Sequence, residues 1–125
     1  ETEILNIANL NKKNIGFISG TASTALDGMR AGGGHAIRHL EGKVLPNTGS
    51  LQSRVEKFKD IAIPILEKPQ HTANWRVGAT EGKAFLGNAE GKKIVIVVAK
   101  EGPHQGKIIS SFIPDENQLK LILSR

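Results

Sequence analysis

The run Ile94-Val95-Ile96-Val97-Val98-Ala99 constrains this chain more than any other stretch. β-Branched side chains crowd a helix and fit a pleated strand. A strand half exposed to water alternates apolar with polar residues, and this one does not. Residues 93–100 therefore read as a strand buried on both faces. The same run is the longest apolar stretch in the sequence, far short of the roughly 20 residues that a bilayer-spanning helix needs. No stable membrane insertion is expected.

Neighbouring segments supply further strands. Trp75, Val77 and Ala79 alternate with Arg76 and Gly78. Glu81-Gly82 reads as a turn into Lys83-Ala84-Phe85-Leu86, residues 88–91 as a second turn, and Gly102-Pro103 marks a loop over 101–106. Residues 107–113 form a last strand, with Ile108, Ser110 and Phe112 on one face and Ile109, Ser111 and Ile113 on the other. Pro114 stops it. The tail from Asp115 suits one last helix or an edge strand.

Ahead of the strands the period changes. Leu51, Val55, Phe58, Ala62, Ile65 and Leu66 recur at helical spacing, predicting a helix capped by Ser50, bent or shortened by Pro64 and ended by Pro69. Residues 1–10 carry a mixed helical pattern, and Thr21 or Ser23 is a candidate cap for a short helix through Arg30. Helices first and an antiparallel meander second give an α+β domain, its N-terminal helices packed on one face of a small C-terminal sheet. Residues 1–31 are then a helical segment, 32–114 the core that carries any chemistry, and 115–125 a tail. A length of 125 residues suits one such domain. The first residue is Glu rather than Met, so the chain reads as a piece of something longer.

The chemistry concentrates in Gly32-Gly33-Gly34-His35-Ala36-Ile37-Arg38-His39-Leu40-Glu41-Gly42-Lys43. On a helix, His35 and His39 lie one above the other. Glycines ahead of them let backbone N–H groups face an anion, which a helix start also favours. Histidine moves protons near neutral pH. The formal net charge of +5 favours an anionic partner such as nucleic acid. The absence of cysteine excludes disulfides, a thiolate nucleophile and Cys-ligated zinc. A glycine run is also what a plain loop contains, and a His pair at this spacing is also a common surface pair.

Gly33-Gly34-His35-Ala36-Ile37-Arg38-His39 with Gly42-Lys43 resembles the Gly-Gly-His…His…Gly-Lys run of bacterial toxins with pancreatic-ribonuclease-like activity. Trp75-Arg76-Val77 and Ile108-Ile109-Ser110-Ser111-Phe112-Ile113-Pro114 look like the sheet segments of EndoU-type toxins. These are C-terminal toxin domains of contact-dependent growth inhibition and related polymorphic toxin systems, with the barnase/EndoU/colicin/RelE fold. The last strand departs from the family's pattern. Ser110 stands where Thr is usual, Phe112 where Tyr is usual, and one residue is inserted before Pro114. With no Tyr in the chain, no phenol takes part in catalysis.

The resemblance implies a tRNA-cleaving endoribonuclease that uses the RNA's own 2′-hydroxyl and leaves a 2′,3′-cyclic phosphate, with no metal or other cofactor. His35 would be the base or the acid, His39 the second proton-transfer group or the residue that orients the first, Lys43 a contact to the scissile phosphate, and Ser110 a hydrogen-bond donor to it. Arg38, Arg76, Lys83 and Ser111 would bind substrate, although on a regular strand only one of the two serines lines the site. The resemblance also implies delivery from the cell surface within a larger effector and action in the cytoplasm of a target bacterium. An acidic immunity protein blocking the site, and a host translation factor, would be its protein partners.

Two other readings fit the residues. His35 and His39 match the i,i+4 spacing of metal ligands, but the Glu of His-Glu-x-x-His is missing. A small basic binding module is the non-enzymatic reading, and a pore-forming fragment lacks its apolar helix. His71 and His104 sit beside loops and read as bystanders, and Trp75 reads as core.

Overall fold

The structure, a computed structural model, describes residues 2–26, 37–46 and 48–125. Strands β1 (His71–Val77), β2 (Thr80–Ala89), β3 (Lys92–Ala99) and β4 (Ile108–Phe112) form an antiparallel meander in the order β1-β2-β3-β4. Every residue from Ile94 to Ala99 is fully buried, as the uninterrupted apolar run requires. On one face Ile94, Ile96 and Val98 pack with Phe58, Ala62 and Leu66 of helix α2 (Leu51–Glu67), which follows helix α1 (Thr2–Asn9) in the chain. On the other, Val95 and Val97 pack with Ala84, Leu86 and Ile122 of helix α3 (Glu116–Ser124).

The expected α+β order is present, with one correction to the layering: helices cover both faces of the sheet. Without α3, Val95 and Val97 would face water. The tail is therefore part of the core. It forms a helix because Asp115 accepts the Gln118 N–H while the Gln118 side chain accepts the Asp115 N–H, a reciprocal cap at 2.8 and 2.9 Å. At the start of α2, Ser50 accepts the Ser53 N–H at 3.1 Å, as its position before the periodic run predicts.

Glu81-Gly82 is not a turn; it lies inside β2, and the reversal falls at Gly78-Ala79, where Gly78 has φ +59°. Gly82 is there for space: a Cβ would sit 2.6 Å from Val97 Cγ1 and 2.9 Å from the Trp75 carbonyl oxygen. The second turn tightens to Glu90-Gly91, both at positive φ (51° and 77°), as a two-residue hairpin loop requires.

The N-terminal layer holds α1 and a 3-10 turn at Ala22–Leu26 in place of a longer helix; residues 27–30, which the predicted helix included, lie outside the described residues. Lys83 ties this layer to the sheet. A substrate-binding lysine would have to be exposed, yet Lys83 is only 2% exposed. The ammonium donates to the carbonyls of Asn9 (2.8 Å), Lys12 (2.7 Å) and Ile15 (2.7 Å), and lies 5.0 Å from the Phe85 ring centroid. Asn9 ends α1, where carbonyls lack helical partners and the helix dipole is negative. Three protons meet three acceptors, so none is left for a phosphate.

Burial, followed by the nearby positive charge of Lys100, lowers the Lys83 pKa to about 8. In the unfolded chain a lysine titrates near 10.4. Between those values the unfolded state binds more protons, so this group makes unfolding free energy rise with pH. Replacing Lys83 with Met should remove that rise in denaturation curves measured from pH 8 to 10.4. At pH 7 the same variant should lose about 2–3 kcal/mol, because three carbonyls lose a charged donor.

Candidate functional site

Residues 37–45 are built on an alternation of buried and exposed positions. Ile37, Leu40, Val44 and Leu45 sink into the core on the α2 face, leaving Arg38, His39, Gly42 and Lys43 exposed between them. Arg38–Leu40 is a single 3-10 turn, closed by the Glu41 N–H donating to the Arg38 carbonyl at 3.3 Å. A second turn follows at once. The N–H groups of Lys43 and Leu45 both donate to the Leu40 carbonyl at 3.1 Å, and Gly42 N–H donates to the Leu45 carbonyl at 2.7 Å. Gly42 takes φ +80°, a conformation that costs glycine little, and this lets Lys43 follow a tight reversal.

Glu41 and Arg54 lock this segment onto α2. Their side chains pair at 2.8 Å and are about one-fifth exposed, while Arg54 Nε is buried with no hydrogen-bond partner among the described residues. Neither residue stands out in the sequence, because Arg54 looks like any solvated charge on a helix. The segment also packs against β4. Beyond it, Gly42 and Lys43 line an open groove of about 670 Å³ together with Lys92, Lys93, Ile113 and Pro114. The Lys92-Lys93 doublet was legible only as part of the net positive charge; the fold brings it beside Lys43.

The two serines of β4 separate as strand geometry requires. Ser111 lies opposite Ile96, on the α2 face shared with residues 37–45, and is fully buried with a partner of its own. Ser110 lies opposite Val97, on the face covered by α3. The expected grouping of Ser110 with His39 is therefore not formed: the sheet stands between the faces. Arg76 is exposed but engaged within its own hairpin, pairing with Glu81 across the β1–β2 ladder and donating to the Ala79 carbonyl at 3.2 Å. Arg38 is exposed and has a partner. His35 and Gly32 to Gly34 lie outside the described residues.

The chain matches no family model, no characterised protein and no solved structure. The likeness to toxin ribonucleases thus rests on the short motifs quoted above. Among the described residues no group of three or more His, Cys, Asp or Glu is placed to hold a metal ion, and no helix is long and apolar enough to cross a membrane. His71 Nε2 lies 2.9 Å from the Ile122 carbonyl oxygen, a tie between β1 and α3, and His104 sits exposed in the β3–β4 loop. Trp75 is half-buried, 5.8 Å from the Phe112 ring and under the Arg125 guanidinium at 5.5 Å.

Truncating Glu41 to Ala should leave the Arg54 guanidinium partly buried and unpaired. A loss of roughly 1–3 kcal/mol is expected in chemical denaturation, below the cost of breaking a fully buried pair because both groups keep some contact with water. Changing Arg54 to Met in the same background should recover part of that loss.

Proposed function

We propose that this domain is a metal-independent endoribonuclease. The observation that carries the reading is an exposed His39 on a turn anchored by buried Ile37 and Leu40, with Lys43, four residues on, lining a lysine-rich groove. In this reading one histidine of the His35/His39 pair takes the proton from a ribose 2′-hydroxyl. The 2′-oxygen bonds to phosphorus, the bond from phosphorus to the 5′-oxygen breaks, and the second histidine protonates that oxygen. A 2′,3′-cyclic phosphate results. Lys43 offsets the charge that gathers on the phosphate. Lys83 has no free proton and Ser110 lies on the α3 face, so neither is assigned a role.

The motif resemblance adds the biological setting. The substrate is tRNA, the domain is delivered within a larger effector to the cytoplasm of a target bacterium, and an acidic immunity protein covers the site in producing cells. A host translation factor is a further partner in this setting.

The experiment is digestion of total bacterial RNA in excess EDTA, comparing the domain with His35→Ala and His39→Ala. Discrete tRNA fragments with cyclic-phosphate ends are expected, with rates about a hundred- to ten-thousand-fold lower in each variant. Cleavage that appears only when a divalent metal is added would replace this mechanism with a metal-dependent one. Binding without cleavage under either condition would leave a nucleic-acid-binding module.

A further inference from the structure

The groove beside Lys43 has a composition that limits how it can recognise a ligand. Lys43 comes from the 42–43 turn, Lys92 and Lys93 from the first residues of β3, and Ile113 and Pro114 supply the apolar part of the lining. Among the described residues no carboxylate lines it. The nearby acid Glu90 pairs with Lys57 at 3.4 Å, and among the described residues Lys93 donates to the neutral Gln70 side chain at 2.9 Å. Three lysines and no carboxylate among the described lining residues make this a surface that suits an anion. An aromatic platform is also missing: Phe17 and Phe85 stack in the core at 5.8 Å, Phe58 is fully buried, and Trp75 and Phe112 pair on the α3 face. Aromatic platforms hold the bases of single strands, base edges are read by hydrogen bonds, and lysines hold phosphates.

We infer that the Lys43/Lys92/Lys93 groove is a phosphate-tracking site that holds a nucleic-acid backbone without reading its base sequence. The identity of that nucleic acid as RNA rests on the ribonuclease reading; the backbone-only recognition rests on the groove alone. Lys92 and Lys93 hold phosphates beyond the scissile one, which Lys43 contacts.

The test uses an uncleavable 2′-O-methyl RNA hairpin, so that binding is measured apart from turnover. Titrations of the whole domain at several salt concentrations should give a log–log slope of Kd against salt of about 2 to 3, the value for three phosphate contacts at about 0.7–0.9 each. Lys92→Gln/Lys93→Gln should lower that slope by about 1.4 to 1.8. A hairpin of shuffled sequence should bind within about twofold of the original, since phosphate contacts carry no base information. An unchanged slope in the double variant, a strong sequence preference, or no binding at all would overturn the inference. Intact lysine-dependent binding with no cleavage of natural RNA would sink the ribonuclease reading and leave the groove standing. Cleavage of natural RNA with a slope indifferent to Lys92 and Lys93 would do the reverse.

Discussion

β3 surrenders all contact with water from Ile94 to Ala99, and a strand buried on both faces demands a layer on each side. That demand decides the placement of the helices. α2 answers one face with Phe58, Ala62, Ile65 and Leu66, and α3 answers the other with Ile122. Close approach needs small residues where the layers touch. A Cβ on Gly87 of β2 would lie 2.6 Å from Ile65 Cγ1, so glycine there lets α2 settle onto the sheet. Gly16 plays the same part under the end of α2, where a Cβ would lie 2.5 Å from the Leu66 carbonyl oxygen. The Phe17 N–H donates to that same oxygen at 2.7 Å, so the close contact also anchors the N-terminal layer.

The Lys83 ammonium makes the second anchor of that layer. An unpaired charge in such a position would be costly, and here the backbone provides what a carboxylate would elsewhere. Edge protection follows from the same arrangement. The loop after α1 brings Asn14 to the outer side of β1, where its side chain accepts the Thr72 N–H at 2.8 Å and its own N–H donates to Thr72 Oγ1 at 2.5 Å. Arg125 donates to the Asn74 carbonyl at 3.1 Å further along the same edge. Backbone groups that would otherwise invite another strand are thereby occupied.

Much of this frame was legible in the residues, and the failures have definite physical causes. The Ile/Val run announced burial on both faces, and helical periodicity with Ser50 announced α2. What element order alone concealed was the second helical layer, because the apolar positions of 115–125 are few and adjacent rather than cleanly spaced. Gly82 looked like a turn because a glycine chosen for a close side-chain approach leaves the same letter as one chosen for a positive φ. Lys83 was illegible for a stronger reason. Its partners are three carbonyls 68 to 74 residues away, and a carbonyl carries no residue identity that a sequence could display. In the site, the strand period separated Ser110 from Ser111 correctly, yet it could not say which face would meet residues 37–45. That depends on the nonlocal packing of Ile37 and Leu40 with Ile96.

The charge pattern gives the site its character. Arg54 pairs with Glu41, Lys57 with Glu90, Lys59 with Glu56 and Arg76 with Glu81, so these four glutamates are matched locally. Among the described residues, Lys43, Lys92 and Lys93 have no carboxylate within ion-pair distance and share one groove; Lys12, Lys13 and Arg125 are likewise without one and line a second pocket with Lys83. A polyanion bound beside the turn that carries His39 would meet Lys43, Lys92 and Lys93 together. The buried members of residues 37–45 then hold that turn in place before any ligand arrives, so the ligand need not order it.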